Sequence, residues 1–358
     1  AISSPSCVFK GASRPRMAMK LPLVAATLLA LHATLVGSAI GQEPSLSWSR
    51  VSLSVDGRRI IKGITGEAFA GRLLGIMGPS GAGKTSVLQV LAGVMPNARG
   101  MELRGEMAGA CFDSGEREAA AFVGQDDRFH SQLSVSETLS FAAQLRLPKM
   151  SRTKRKRVVE ELIRQLQLSH CEGTKVGDER CRGISGGERR RLALGCELVG
   201  RPALIFADEP TSGLDAFQAQ RMMEVLRDLS EQGHTVILSI HQPSSKIWRM
   251  LDDVLLVSEG KCCYIGPREG CLKHFSQQSF DCPPQTNPAE FLLDLVSVDY
   301  SSVSRERLSA HRVSELARNW DRTWSAGHRF HPRTRNFLHK FICSRTTGEE
   351  GKGEVLAQ

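Results

Sequence analysis

Eight consecutive residues, Gly78-Pro-Ser-Gly-Ala-Gly-Lys-Thr85, constrain this chain more than any other stretch of it. They fit G-x-x-x-x-G-K-[ST], a loop in which small residues let successive backbone N–H groups curl around phosphate oxygens. The lysine neutralises the phosphate charge and the hydroxyl reaches a Mg²⁺ ion. Such a loop needs a strand before it and a helix after it. The flanks comply: Leu73 to Met77 is an apolar run, and Gly83 to Leu91 reads as a helix. Gly78, Pro79, Ser80, Gly81, Ala82, Gly83, Lys84, Thr85 and Ser86 are therefore the expected phosphate cradle.

About a hundred residues further on stands Ile184-Ser-Gly-Gly-Glu188, continued by the helical pattern Arg189 to Leu198. A helix start with bare backbone amides at Ser185, Gly186, Gly187 and Glu188 can hold a second anion. Ala203-Leu-Ile-Phe-Ala-Asp208 reads as a buried parallel strand that delivers Asp208 to a metal shell at its carboxyl end. Glu209 follows at once and can orient, or take a proton from, an attacking water. Ser212, Gly213, Leu214 and Asp215 come next, then the strand-like Thr235 to Ser239, then His241. Upstream, Phe122-Val-Gly-Gln125 ends a strand with a carboxamide that can ligate Mg²⁺ or hold water.

This order of motifs resembles the ATP-binding cassette (ABC) family. Ile60-Ile-Lys-Gly-Ile-Thr-Gly-Glu67, Ile240-His-Gln-Pro-Ser-Ser245 and Asn287-Pro-Ala-Glu-Phe-Leu-Leu-Asp294 are similar to stretches of its G subfamily, the half-transporters of the white–brown type. The extension to Val298-Asp-Tyr-Ser301 looks most like plant and algal members. The resemblance spans residues 45–301 and implies an α/β fold: a P-loop NTPase with a mixed β-sheet core, a helical signature subdomain and an antiparallel β-subdomain. It implies ATP with Mg²⁺, the metal held by Thr85, Gln125 and Asp208. Glu209, His241 and Gln125 are the implied catalytic group, Ser212 to Asp215 the D-loop, and Ser185 to Glu188 a signature acting on nucleotide held by a second subunit. The implied function is an ATPase that powers export of a lipophilic small molecule across a membrane after pairing with a second half-transporter, identical or different. The alternative is a regulatory or soluble ABC ATPase module without transport.

With 358 residues the chain has room for one such cassette and two tails. Residues 1–44 form a basic and then hydrophobic leader, 45–301 the cassette, and 302–358 a basic polar tail; the six spans of a half-transporter are expected to be missing through truncation or a gene-model error. In the leader, Leu21 to Ile40 is apolar and uncharged, preceded by Lys10, Arg14, Arg16 and Lys20 and by no acid. From Met17 it reads as a signal, transit or anchor segment. The protein is expected at a membrane, with its cassette facing cytosol or an organelle stroma or matrix, where ATP is present. A net charge of +9 invites nucleic acid as a partner, but the one tight basic run, Arg152 to Arg157, opens a helical pattern without interleaved aromatics and reads as a solvated helix face or one near anionic lipid headgroups. Ten cysteines without a C-x-x-C pair suggest free thiols, Cys262 and Cys263 being ordinary strand residues.

The resemblance also exposes a departure. Where ABC cassettes commonly carry an aromatic residue that stacks on adenine, this chain has Val55, with Trp48 too early. Stacking on an aromatic side chain contributes about 1–3 kcal/mol per base. GTP is therefore expected to compete with ATP to within about tenfold, or about 1.4 kcal/mol, and Val55→Tyr to tighten ATP in a direct titration. A hundredfold preference for ATP in the unaltered chain would refute the assignment.

Overall fold

The computed structural model describes residues 44–95, 100–109, 120–125, 128–178 and 180–327. The leader segment expected at 17–40 and the chain beyond 327 lie outside the described residues. β1 (Leu46–Val55) and β2 (Arg58–Ala68) form an antiparallel hairpin. Its turn, Asp56-Gly57, has φ of 49° and 77°, the left-handed pair that a tight two-residue hairpin requires. The strand β4 (Met101–Ala108) pairs with the other edge of β1, giving a three-stranded antiparallel sheet.

The larger sheet orders β5 (Ala120–Val123), β6 (Leu204–Ala207), β7 (Thr235–Ser239), β3 (Leu73–Met77), β8 (Asp253–Ser258) and β9 (Lys261–Pro267). All neighbours are parallel except β8 and β9. Every residue of β3, β6, β7 and β8 is buried, which is why these strands read as unbroken apolar runs rather than alternating ones. α1 (Lys84–Ala92) follows β3, α5 (Ala216–Glu231) connects β6 to β7, and α6 (Ser245–Met250) connects β7 to β8.

A helical part between β5 and β6 holds α2 (Val135–Arg146), α3 (Arg152–Gln165) and α4 (Gly186–Leu198). Ser134 caps α2 with a reciprocal capping box to Glu137. In α3, Val158, Val159, Leu162 and Ile163 are buried while Arg152, Lys154, Lys156 and Arg157 stay exposed. The basic run is a solvated helix face.

Beyond β9 lie α7 (Arg268–Ser276), α8 (Pro288–Val296) and α9 (Val303–Gly327). Asn287 caps α8 with Pro288 in its first turn. The boundary expected at 301/302 is corrected here: Val303 to Gly327 is a 25-residue helix packed on β9, not the start of a polar tail. Val313, Leu316, Ala317, Trp320 and Trp324 are buried along one stripe, at the i, i+3, i+4, i+7 spacing of a helix face. Composition averaged over the segment hides that stripe behind its charged outer face. No helix of the described residues is long and apolar enough to cross a membrane.

Trp320 anchors this helix, its ring centroid 4.6 Å from that of Tyr264 and 4.9 Å from that of His274. Trp320→Ala is expected to lower unfolding free energy by about 3–5 kcal/mol, as for other buried aromatics. Urea unfolding followed by far-UV circular dichroism checks it; a loss under about 1 kcal/mol would mean that α9 is peripheral to the fold.

Candidate functional site

Four adjacent parallel strands, β5, β6, β7 and β3, end along one edge of the sheet, the edge at which open α/β folds bind ligands. Gly78 directly follows β3, Asp208 and Glu209 follow β6, Ser239 closes β7 with His241 two residues on, and Gln125 stands two residues past β5. The phosphate loop closes tightly over the sheet. A Cβ on Gly78 would lie 2.1 Å from the Val257 carbonyl oxygen, and Gly81 and Gly83 hold φ of 76° and 97°. Only glycine suits such backbone. Lys84 is buried and donates to the carbonyl oxygens of Gly78 (2.9 Å) and Pro79 (3.1 Å). Burial lowers its pKa, against the pull of the Glu209 and Asp208 carboxylates.

Above the loop opens a cleft of about 340 Å³ lined by Ser80, Gly81, Lys84, Thr85, Glu209 and His241, with Ile60 as an apolar wall. Val55 is not among its lining residues, and Trp48 is fully buried in the core. Thr85 Oγ1 donates to Asp208 Oδ1 at 3.1 Å. The same oxygen accepts the Ser239 hydroxyl at 2.5 Å, and Ser239 Oγ accepts the Glu209 backbone N–H at 2.8 Å. Sequence reasoning missed Ser239; the one signal was a hydroxyl closing an otherwise apolar strand end. His241 Nε2 and Ser80 Oγ lie 3.1 Å apart. Glu209 and Gln242 hold φ of 46° and 45°, a left-handed backbone that non-glycine residues adopt only when their surroundings enforce it.

The signature residues lie elsewhere. Ser185 caps α4 and forms a capping box with Glu188. The Ser185 N–H donates to Glu188 Oε2 at 2.7 Å, and His170 Nε2 sits 2.7 Å from Glu188 Oε1. Asp215 caps α5 by accepting from the Phe217 and Gln218 N–H groups, and the Gln218 carboxamide in turn accepts from Arg191 at 3.1 Å. Gly186, Arg189, Arg190, Ser212, Gly213 and Leu214 line a second cleft of about 440 Å³. Gln125 lines this second cleft, two residues past Val123, whose carbonyl accepts the Asp208 N–H at 2.9 Å.

A phosphate loop, a buried carboxylate hydrogen-bonded to it, a following glutamate and a capped second helix are the parts of an ABC-type ATPase cassette. Residues 61–212 match the sequence profile of the family described as ABC transporter. "ABC transporter G family member 7" of Arabidopsis thaliana is 47% identical, the match covering 76% of this chain and 39% of that protein. "Protein white" of Drosophila melanogaster is 40% identical over 74% of this chain and 39% of its own length. A solved chain described as the ATP binding subunit of an ABC transporter shares the fold, with a TM-score of 0.56 and 20% identity over 70% of this chain and 99% of that one. The chain belongs to the ABC transporter family, and its cassette is a nucleotide-binding domain of the G subfamily. It spans about two fifths of the length of the curated relatives it matches.

The capping box of α4 carries a pH dependence. Burial pushes the Glu188 carboxyl up, but the Ser185 N–H and His170 together outweigh it and leave its pKa below the ordinary 4.5. A carboxyl depressed on folding stabilises the fold fully above its unfolded pKa, and that stability is lost as pH falls through the folded value. Glu188→Ala is expected to cost about 0.5–2 kcal/mol above pH 5, the range for a lost helix cap. The gap from the unaltered chain should narrow as pH falls below the ordinary 4.5 and through the lowered folded value. Thermal unfolding of both from neutral into acid pH measures it, and a gap that does not narrow on acidification would contradict it.

Proposed function

We propose that this chain binds Mg²⁺–ATP in the cleft over Gly78 to Ser86 and hydrolyses it at a site completed by the signature of a second subunit, powering export of a lipophilic compound across a membrane. One observation carries the reading: the phosphate loop and the signature segment open onto two different clefts of one chain. A signature helix whose Gly186 and Gly187 stand at its N-terminus, with no phosphate cradle beside them, suits a cradle supplied by another subunit, identical or homologous. The membrane side rests on relatives that are named transporters. Nucleic acid has no part in it.

The residues fit a magnesium nucleotide. The cradle at Gly78 has no room for a side chain, and Thr85 Oγ1 and Asp208 Oδ1 supply hard oxygen donors 3.1 Å apart. Thr85 and Asp208 would hold the cation, with Gln125 as a further ligand, directly or through water. When bound, the ion offsets the charge on the β- and γ-phosphate oxygens. Lys84 exchanges its bonds to the Gly78 and Pro79 carbonyls for phosphate oxygens. Glu209 orients a water and accepts its proton as that water attacks the terminal phosphorus and the bond to the bridging oxygen breaks, giving ADP and phosphate. His241 donates to the terminal phosphate from beside Ser80. Ser185, Gly186 and Gly187 bind the oxygens of nucleotide held by the other subunit, with Ser212 to Asp215 lying along the same interface.

Mixing tests this directly. Lys84→Ala and Ser185→Arg chains are each expected to be inactive alone. In a mixed dimer one composite site carries both lesions and the other neither. Random pairing makes half of the dimers mixed, each with one intact site of two, so hydrolysis should return to about a quarter of the unaltered level if the sites act independently. Phosphate release is measured at high protein concentration with mixed dimers verified by differential tags. No recovery despite verified pairing would refute the shared site.

A further inference from the structure

The hydrolytic residues proposed above leave the buried Ser239 hydroxyl, beside Asp208, without a role. Ser239 is 0% exposed, at the end of a strand whose other members, Thr235 to Leu238, are buried in the core of the sheet. A hydroxyl at that depth is costly unless its donor and acceptor capacity is used. Here it is used, and in one direction only. The Glu209 N–H can only donate, so Ser239 Oγ accepts it at 2.8 Å; the single hydroxyl proton then goes to Asp208 Oδ1 at 2.5 Å.

We propose that Ser239 is a positioning residue for hydrolysis, its hydroxyl locking the Asp208 carboxylate to the backbone that carries Glu209. The proposal rests on the ATPase reading above and goes beyond it by naming a residue outside the phosphate loop, the carboxylate pair and the histidine.

Strand order makes the coupling possible. β7 lies between β6 and β3, with Ala207 opposite Leu238 and Ile76 opposite Ser239. Ser239 therefore stands beside Asp208 on one side and at the root of the phosphate loop on the other. Asp208 Oδ1 also accepts from Thr85 Oγ1 at 3.1 Å. The result is one unbroken series of hydrogen bonds: Glu209 backbone to Ser239, Ser239 to Asp208, and Thr85 to the same carboxylate. It joins the residue assigned to water, the residue assigned to the metal and the first turn of α1.

Glu209 needs such a hold. Its φ of 46° is a conformation that a residue with a Cβ does not keep unaided. The Ser239 hydroxyl fixes its N–H, and its carbonyl accepts the Ser212 N–H at 3.0 Å. Removing the hydroxyl strips a donor from Asp208 and an acceptor from Glu209 in one step. The carboxylate is then free to rotate and the Glu209 backbone to relax from its strained form. A purely structural hydroxyl would instead lower stability and leave metal affinity alone.

The test uses the full 358-residue chain, with Mn²⁺ as the metal probe and a non-hydrolysable ATP analogue. Free Mn²⁺ is counted by electron paramagnetic resonance, nucleotide affinity is titrated in EDTA, and ATP turnover and melting temperature are measured in parallel. For Ser239→Ala, metal-free nucleotide affinity should stay within about twofold. The Mn²⁺ dissociation constant should rise about tenfold or more, and kcat at saturating metal should fall about 10–100-fold, the usual cost of losing a residue that orients a metal ligand. Ser239→Thr, which keeps the hydroxyl, should restore both. Should that variant fail to fold, the Ser239→Ala comparison decides alone. Mn²⁺ affinity and kcat that match the unaltered chain, whether or not the melting temperature falls, would overturn the proposal. An unaltered chain that shows no nucleotide-dependent Mn²⁺ binding would instead overturn the ATPase reading, and this proposal with it.

Discussion

Parallel pairing of β6, β7 and β3 is the constraint on which the rest of the molecule depends. These strands are buried on both faces, so their backbone groups have only one another as hydrogen-bond partners, and the ladder has to be complete. Completeness sets the register, Ala207 beside Leu238 and Ile76 beside Ser239. Register then decides which residues emerge together at the carboxyl edge: the loop after Met77, the carboxylates after Ala207, the serine and histidine after Leu238. A slip of one position on β7 would turn Ser239 away from Asp208, since alternate residues of a strand face opposite sides. The chemistry of the site is thus a consequence of sheet pairing made by residues that never touch a nucleotide.

The signature region is held by a different kind of interaction. Its order comes from helix ends: Ser185 with Glu188 at α4, Asp215 at α5, and the Arg191 to Gln218 bond between the two helices. Gly187 permits the approach, since a Cβ there would lie 2.4 Å from the Gln218 carboxamide oxygen. Capping hydrogen bonds of this kind are each worth only about 1 kcal/mol. They set local geometry without tying the helical part to the phosphate loop, and one link to the main sheet is the Arg190 guanidinium on the Gly124 carbonyl at 3.0 Å.

Much of this was legible in the sequence because the relevant signals are local. The glycines before Lys84, the apolar run ending at Asp208 and the helix start at Ser185 each act within a few residues. Ser239 was not legible as a site residue, because its role depends on which strand lies beside β7, and that is set by pairings between residues 31 positions apart. The aromatic group of Tyr264, His274, Trp320 and Trp324 escaped for the same reason: it joins β9, α7 and α9 across about 60 residues.

Burial separates the site into two populations with different physical roles. Lys84, Asp208 and Ser239 are buried, whereas Ser80, Gly81, His241, Ser185, Gly186, Ser212 and Gly213 are exposed. The buried set holds its geometry in a low-dielectric surrounding before any ligand arrives, which is where preorganised charge is most effective. The exposed set faces water in a single chain, and there its hydrogen bonds to phosphate compete with solvent and gain little. In the proposed dimer a second signature surface would cover the exposed set, displace that water and strengthen every contact to the terminal phosphate together. Hydrolysis would then depend on closure because half of the site works well only when dry. The preformed half, fastened by Ser239 between two carboxylate-bearing positions and the phosphate loop, needs no partner to be in place.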